Sequence, residues 1–343
     1  MKAWLLSAYR SDSHAYWADW LTGAFSDIDW RKLELPGRHF RWRIRGNPLS
    51  WLTQLPDDQP DVIIATSMVD LATLKGLHPG LATVPAMYYF HENQFAYPAG
   101  EHQVRSIEPQ MVQLYGALAA DRCVFNSRYN LESFLQGIDA LLDNMPDAVP
   151  DNVSYLIRSK ASVLPVPVRP IPASDKNSKL VLWNHRWEYD KQPGVFADAM
   201  IQLHESGVDF ELALLGARPA VAPAALQQLR DIMPQRIVYD GKVDTKTYRR
   251  ILGEARIVVS TSRHEFQGLA IMEAVSAGAT PLLPDSLCYP EYYAPPYLYR
   301  DGHVNALVTK LGGWLQHAIP EPPDITPWLQ SSLLPAWREL LQG

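Results

Sequence analysis

Short apolar runs alternate with stretches of helical periodicity along most of the chain. Lys2 to Ser7 is apolar and ends in polar residues, which predicts a buried strand. Ser13 to Ala24 follows with Tyr16, Trp17, Trp20 and Leu21 at helical spacing. Asp61 to Thr66, Ala86 to Phe90 and Arg122 to Phe125 repeat the buried-strand signal. Helical patterns follow Thr66 as far as Leu74 and run from Gln110 to Ala120. Strands that alternate with helices predict βα units around a parallel sheet.

The alternation breaks once and then restarts. Val163 to Pro172 holds prolines at 165, 167, 170 and 172, and a polar stretch runs on to Lys179. Proline fixes φ and removes a donor, so this reads as an extended connector between two domains. Beyond it, strands are predicted at Lys179–Trp183, Phe210–Leu215, Ile237–Tyr239, Arg256–Ser260 and Thr280–Leu283. Helices are predicted at Pro193–Glu205, Gly268–Ala277 and, to close the chain, Trp328–Gln342. The boundaries are 1–172, 173–318 and a C-terminal helical segment, 319–343.

Composition narrows the class. The 343 residues suit two domains, and neither needs covalent staples to bury a core. Two cysteines exclude a disulfide scaffold and fit a reducing, cytoplasmic setting. No apolar run is long enough to span a membrane. The formal charge of −6 excludes a general nucleic-acid coat, so any RNA contact must come from a local patch.

The motifs lie at predicted strand ends, where open α/β sheets bind ligands. There is no G-x-G-x-x-G, no Walker A sequence and no H-E-x-x-H. After the strand ending at Trp183 comes NHRWEYDK, with Arg186 and Lys191. Two cations there suit a diphosphate, or else they pair with Glu188 and Asp190 as a surface network. STSRHEFQGLAIMEAVSAG, Ser260 to Gly278, places a polar loop before a helix. The amides of Gly268, Leu269 and Ala270 would form an anion site at that helix start. Glu265 in the loop and Glu273 on the helix suit sugar hydroxyls. His91, Glu92, Asn93 and Gln94 follow the AMYYF strand, as ligand groups or as a capped turn. Ser13 and His14 fall in the first β–α loop, where they meet a ligand or cap a helix. Loops at Gly216 and at Gly241–Val243 are candidates for a base pocket.

Together these motifs resemble the retaining glycosyltransferases of the GT-B fold. YYFHENQFAYP, VFNSRYNLESFL, WNHRWEYDKQP, STSRHEFQGLAIMEAVSAG and PDSLCYPEYYAPPYLY resemble more closely the tRNA-queuosine α-mannosyltransferases and their bacterial relatives. The resemblance implies two Rossmann-like α/β domains facing across a cleft, with the C-terminal helix packing back on the first. It implies transfer of mannose from GDP-mannose, with retention, to queuosine in a tRNA anticodon. No metal and no further cofactor is implied, nor a membrane or a stable protein partner. Arg186 and Lys191 correspond to the diphosphate clamp, Glu265 to the hexose ligand, Glu273 to the ribose ligand and His91 to the acceptor-side histidine. Ser13, His14, Gly216, Val243, Gly268, Leu269 and Ala270 would complete the donor site. Glu92, Asn93, Gln94 and Asn126 would line the acceptor side. The first loop, YRSDSH, lacks the glycines the family often carries there.

One basic patch suits an RNA acceptor. GRHFRWRIRGN, Gly37 to Asn47, carries Arg38, Arg41, Arg43 and Arg45 with Phe40 and Trp42. The alternating arginines read as an extended segment that either binds phosphates and stacks a base or is a charge-guarded edge strand. Two rivals stand beside this reading: a transferase with a lipid or small-molecule acceptor, and a non-catalytic RNA-binding relative.

Overall fold

The computed structural model describes residues 1–97, 106–219 and 221–342. Pro98, which ends the YYFHENQFAYP motif, lies outside them. The chain divides into two compact units, Met1–Val166 joined by the stretch from Leu334 onward, and Pro167–Leu333.

The first unit runs β1 (Lys2–Arg10), α1 (Asp12–Ala24), β2 (Asp29–Pro36), α2 (Phe40–Trp51), β3 (Val62–Thr66), α3 (Leu71–Leu77), β4 (Ala86–Phe90), α4 (Glu108–Ala119), β5 (Arg122–Phe125), α5 (Arg128–Leu142), α6 (Val153–Arg158) and β6 (Ala161–Val163). Its six-stranded sheet has the order β2-β1-β3-β4-β5-β6, with every pair parallel. β4 is buried at all five positions, as a central strand covered on both faces must be. His14, Trp17, Ala18 and Leu21 form the buried stripe of α1, at the spacing that places side chains on one helix face. Trp17 stacks on Tyr89 with ring centroids 4.6 Å apart.

The second unit runs β7 (Asn177–Trp183), α7 (Pro193–Glu205), β8 (Glu211–Leu214), α8 (Ala224–Ile232), β9 (Ile237–Asp240), α9 (Thr245–Glu254), β10 (Ala255–Val259), α10 (Leu269–Ser276), β11 (Thr280–Pro284), α11 (Tyr289–Tyr292), β12 (Leu298–Tyr299) and α12 (Val304–Gln316). The sheet order is β12-β11-β10-β7-β8-β9, again all parallel. α13 (Gln330–Gln342) closes the chain. Its Trp337 is buried in the first unit beside Trp17, Trp20 and Tyr89, and its indole N–H donates to Pro165 O at 3.2 Å.

The α/β alternation and the two parallel sheets agree with the sequence reading. The segment from Gly37 to Asn47 does not. It is read as extended, yet Phe40–Trp51 is a helix. Its buried face is Ile44, Asn47, Pro48 and Trp51, at helical spacing. Asn47 pins it, donating to Met68 O and accepting from Asp70 N. Ser13 and His14 are likewise on α1 rather than in a loop, because the helix begins at Asp12.

Candidate active site

A group of buried polar side chains lies in the second unit, at the carboxyl ends of β7 and β10. The loop after β7 carries Asn184, His185, Asp190 and Lys191, all buried. Thr261 Oγ1 donates to Lys191 O at 2.8 Å, and Arg263 N donates to Asp190 O at 2.9 Å, so the loops after β7 and β10 are tied together. Gly216 follows β8 at φ +93°, and a Cβ there would lie 2.0 Å from His185 O. Only glycine allows that backbone approach, and it sets the path of the 184–187 loop.

Lys191 is the centre of the group. Its ammonium donates to His264 O at 2.6 Å and to Glu265 Oε2 at 3.2 Å, with Asp190 Oδ2 at 3.4 Å. Burial opposes the charge of Lys191, but Glu265 and Asp190 outweigh it and hold the ammonium above its ordinary pKa. Burial likewise opposes the Glu265 charge, yet Lys191 and His185 hold that carboxyl down at about 2. Asp190 is also held at about 2, where His264 and Lys191 overcome the cost of burial. Arg186 is half exposed and pairs with Glu188 at 3.1 Å. Its charge still reaches Lys191 and Asp190. The pairs expected of the ion-pair alternative are both present. Arg186 makes the surface pair, while the pair of Lys191 with Asp190 is internal.

Five residues to which the sequence reading gave no role support this centre: Asn184, His185, Tyr248, Ser260 and Tyr289. His185 Nε2 lies 2.9 Å from Ser260 Oγ, which is 2.8 Å from Tyr289 OH. Burial, then Lys191, pushes His185 down to about 3, so its imidazole is neutral. Tyr248 OH donates to Glu273 Oε2 at 3.2 Å, and Asn184 Nδ2 donates to Ala270 O at 2.8 Å. Burial raises the Glu273 carboxyl. Their partners lie on elements distant in sequence, so the pairings show in no single motif.

Gly268 adopts a left-handed conformation, φ +77°, at the start of α10. The helix proper begins at Leu269, one residue later than read from sequence. Its first amides and the loop ending in Glu265 belong to one strand–loop–helix connection, and Glu273 lies a turn further along the helix. Val243 is half-buried in the loop between β9 and α9.

The first unit brings a second group together beyond β4. His91 and His14 stack with centroids 4.2 Å apart, over Trp17 and Tyr89. Burial pushes His91 well below its ordinary pKa, with His14 adding to the effect, and burial lowers His14 too. Both imidazoles are neutral at pH 7, and His91 Nε2 is buried with no hydrogen-bond partner among the described residues. Ser13 is exposed.

Asn93 and Asn126 are spent inside the protein. Asn93 Nδ2 donates to Asn130 and Ser133, while its Oδ1 accepts from Phe95 N and Ala96 N. Asn126 Nδ2 donates to His91 O at 2.8 Å, and its Oδ1 accepts from Asn130. They hold the His91 loop rather than face a ligand, in contrast to the sequence reading. Glu92 and Gln94 are half-buried, and Gln94 N donates to Gln113 Oε1. The buried Asn130 and Gln113 are the further residues that shape this loop. Among the described residues, no three His, Cys, Asp or Glu side chains cluster as metal ligands.

Comparison with known proteins places these two groups in context. A profile described as "tRNA-queuosine alpha-mannosyltransferase N-terminal" matches residues 2–168, and one described as "Glycosyl transferases group 1" matches residues 178–315. A Drosophila melanogaster tRNA-queuosine alpha-mannosyltransferase is 33% identical over 322 residues, covering 90% of this chain and 85% of the relative. Among solved structures, the lipopolysaccharide outer core galactosyltransferase WaaB is similar with a TM-score of 0.67 at 12% identity, covering 100% of this chain and 99% of that one. Anabaena HepE in complex with UDP-glucose is similar with a TM-score of 0.67 at 13% identity, with the same coverage. At such identity the structures establish a shared glycosyltransferase fold.

Proposed function

Because the chain belongs to the tRNA-queuosine alpha-mannosyltransferase family, we propose that it moves mannose from GDP-mannose onto the cyclopentenediol of queuosine in tRNA. The observation that carries the donor half of this reading is Lys191 buried against Glu265 at 3.2 Å, beside the start of α10. A nucleotide-sugar diphosphate needs fixed positive charge where the leaving group departs. Arg186, the Lys191 ammonium and the amides of Leu269 and Ala270 supply it. Charge grows on that phosphate in the transition state, so donors held in place beforehand accelerate the step.

The bond from the sugar C1 to the β-phosphate oxygen breaks, and a bond from C1 to an acceptor hydroxyl oxygen forms. The hydroxyl proton passes to the departing phosphate. The hydroxyl enters on the face that the phosphate leaves, which retains the anomeric configuration. No protein nucleophile takes part. Glu265, ionised at neutral pH, accepts hydrogen bonds from the hexose hydroxyls, and Glu273 accepts from the ribose. Gly216 and the Gly241–Val243 loop flank the base. His91, neutral and with no partner for Nε2 among the described residues, serves the acceptor, with His14 stacked behind it.

A tRNA acceptor calls for a compartment that holds tRNA. The two free cysteines, both buried, suit a reducing one. No helix among the described residues is long and apolar enough to cross a membrane.

The test is mass spectrometry of nucleosides from queuosine-containing tRNA incubated with the protein and GDP-mannose. UDP-hexoses and tRNA lacking queuosine serve as controls. A hexose added to queuosine with GDP-mannose alone is the expected result. Addition with a UDP-hexose overturns the donor, and no addition with any donor overturns the acceptor.

A further inference from the structure

The chain carries a net charge of −6, yet from Leu35 to Pro56 it contains four arginines and no acidic residue. That segment is α2 and its approaches. Arg38, Arg41, Trp42, Arg45, Leu49 and Leu52 are exposed, and those from 41 onward recur at three- and four-residue spacing along one helix face. The opposite face is fixed to the fold. Asn47 on that face binds Met68 O and Asp70 N, and from the exposed side Arg45 also reaches Asp70 at 2.6 Å. The basic face is therefore held in one orientation.

Trp42 is the unusual member. It is 54% exposed, whereas Trp4, Trp17, Trp51, Trp183, Trp187 and Trp337 are fully buried. Its indole lies across the helix backbone at Gly46, where a Cβ would sit 2.5 Å from ring atom Cε2 and 2.7 Å from Cδ2 and Cζ2. Gly46 is buried by that ring. A side chain at 46 would lift the indole from this seat. With one ring face lying on the helix, the ring loses little freedom when a planar group meets its exposed side.

A flat aromatic among arginines matches single-stranded nucleic acid. Phosphates meet the guanidinium groups and an unstacked base meets the ring. We propose that the exposed face of α2 docks the acceptor RNA, with Trp42 as the stacking platform for an unpaired base and Arg38 and Arg41 on its phosphates. This rests on the tRNA reading above and adds the surface that serves it. It also departs from the extended-segment expectation, because a helix presents Trp42 and Arg41 with Arg45 on one side.

The experiment uses the full chain and queuosine-containing tRNA. It measures the Kd by fluorescence anisotropy over a salt series, and the KM for tRNA and for GDP-mannose separately. Trp42→Ala is expected to weaken tRNA binding by about ten- to a hundred-fold, the range of base–aromatic stacking. Trp42→Phe should restore most of it. Gly46→Ala keeps the indole but displaces it, so it should weaken tRNA binding too while the helix gains propensity. Arg41→Ala should reduce the slope of log Kd against log salt by about one. The shift should fall on the tRNA terms and not on the KM for GDP-mannose. Variants that bind tRNA as the parent does, with an unchanged salt slope, overturn the docking surface while leaving the proposed function standing. A parent that binds tRNA through this face but transfers no sugar overturns the proposed function and leaves the surface. A parent that does not bind tRNA overturns both.

Discussion

Lys191 Nζ lies 3.2 Å from Glu265 Oε2 and 3.4 Å from Asp190 Oδ2, so one buried cation answers two carboxylates. Removing the cation leaves both anions uncompensated. Lys191→Ala is expected to destabilise the protein by about 3–5 kcal/mol, as breaking a buried pair does. The loss of turnover in that variant is then partly a folding effect, contrary to what a simple clamp implies. Arg186→Ala separates the two. Arg186 is half exposed, so its removal is expected to leave the denaturation midpoint near the parent while turnover falls by about 10²–10³. Denaturation and turnover measured on both variants decide the matter. A Lys191 variant as stable as the parent refutes the buried pairing, and normal turnover in the Arg186 variant refutes its part in the clamp.

Gly216→Ala probes the backbone beneath that loop. The new Cβ would meet His185 O at 2.0 Å, at a φ of +93° that side chains rarely adopt. The positive φ alone costs about 1–3 kcal/mol, and the contact adds to it because the obstacle is backbone. The expected outcome is a lower melting temperature with a larger loss of turnover than of stability, since the 184–187 loop must move. A variant with parent-like turnover would show that the loop path is not critical.

Much of this architecture is legible in the sequence because β4 is apolar throughout and β3, β5 and β10 each hold at least three consecutive apolar residues, the mark of strands buried on both faces. β2 is not legible. Only Leu35 of its eight residues is buried, so it lacks an apolar run. α2 misleads more directly. Arg41, Arg43 and Arg45 alternate as a strand would, while its buried stripe contains Asn47 and Pro48, which hide the helical period. Within the site, Arg186, Lys191 and Glu265 stand out because they follow strand ends in short polar loops, and Glu273 because it lies on the helix that follows. Asp190 looks like one more surface charge until burial is known. Tyr248 is invisible, since its partner Glu273 is 25 residues away on another helix. Asn93 and Asn126 are polar in sequence and read as ligand groups, while Asn130 draws no notice. Their bonds to each other and to the backbone emerge only when α5 is packed under the His91 loop.

The buried imidazoles make a pH prediction. His14, His91 and His185 all have folded pKa values below the ordinary value of about 6.5. The unfolded chain binds the protons that the folded chain refuses, so stability is full above about pH 6.5 and falls as pH drops toward the folded values. Each histidine contributes about 1.4 kcal/mol per pH unit inside its window. His185 keeps doing so down to about pH 3. Imidazole ¹⁵N shifts should report neutral His91 and His185 rings at pH 5.5, together with a lower denaturation midpoint than at pH 7.5. A protonated His185 at pH 5.5 would contradict the burial that surrounds it.

The hydroxyl of Tyr248 reaches Glu273 Oε2 at 3.2 Å from α9, and Asn184 Nδ2 lies 3.3 Å from the same hydroxyl. Burial raises both the Tyr248 hydroxyl and the Glu273 carboxyl, and the hydrogen bond from Tyr248 moderates the latter. Tyr248→Phe removes that donor and keeps the ring. Two effects should follow. The KM for the nucleotide sugar should rise by about two- to ten-fold, the worth of one hydrogen bond of about 0.5–1.5 kcal/mol, because Glu273 is no longer aimed. The Glu273 pKa should also climb, since its charged form has lost a donor. A carboxyl with a raised folded pKa favours the folded state below its unfolded value and costs stability as pH rises through the folded one. The variant is therefore expected to be less stable than the parent at pH 7 and closer to it near pH 4. Donor KM and the pH profile of stability, measured on the same preparation, test both limbs. An unchanged donor KM with lowered stability would make Tyr248 a structural partner of α10 alone, and Glu273 would then lose its assignment to the ribose.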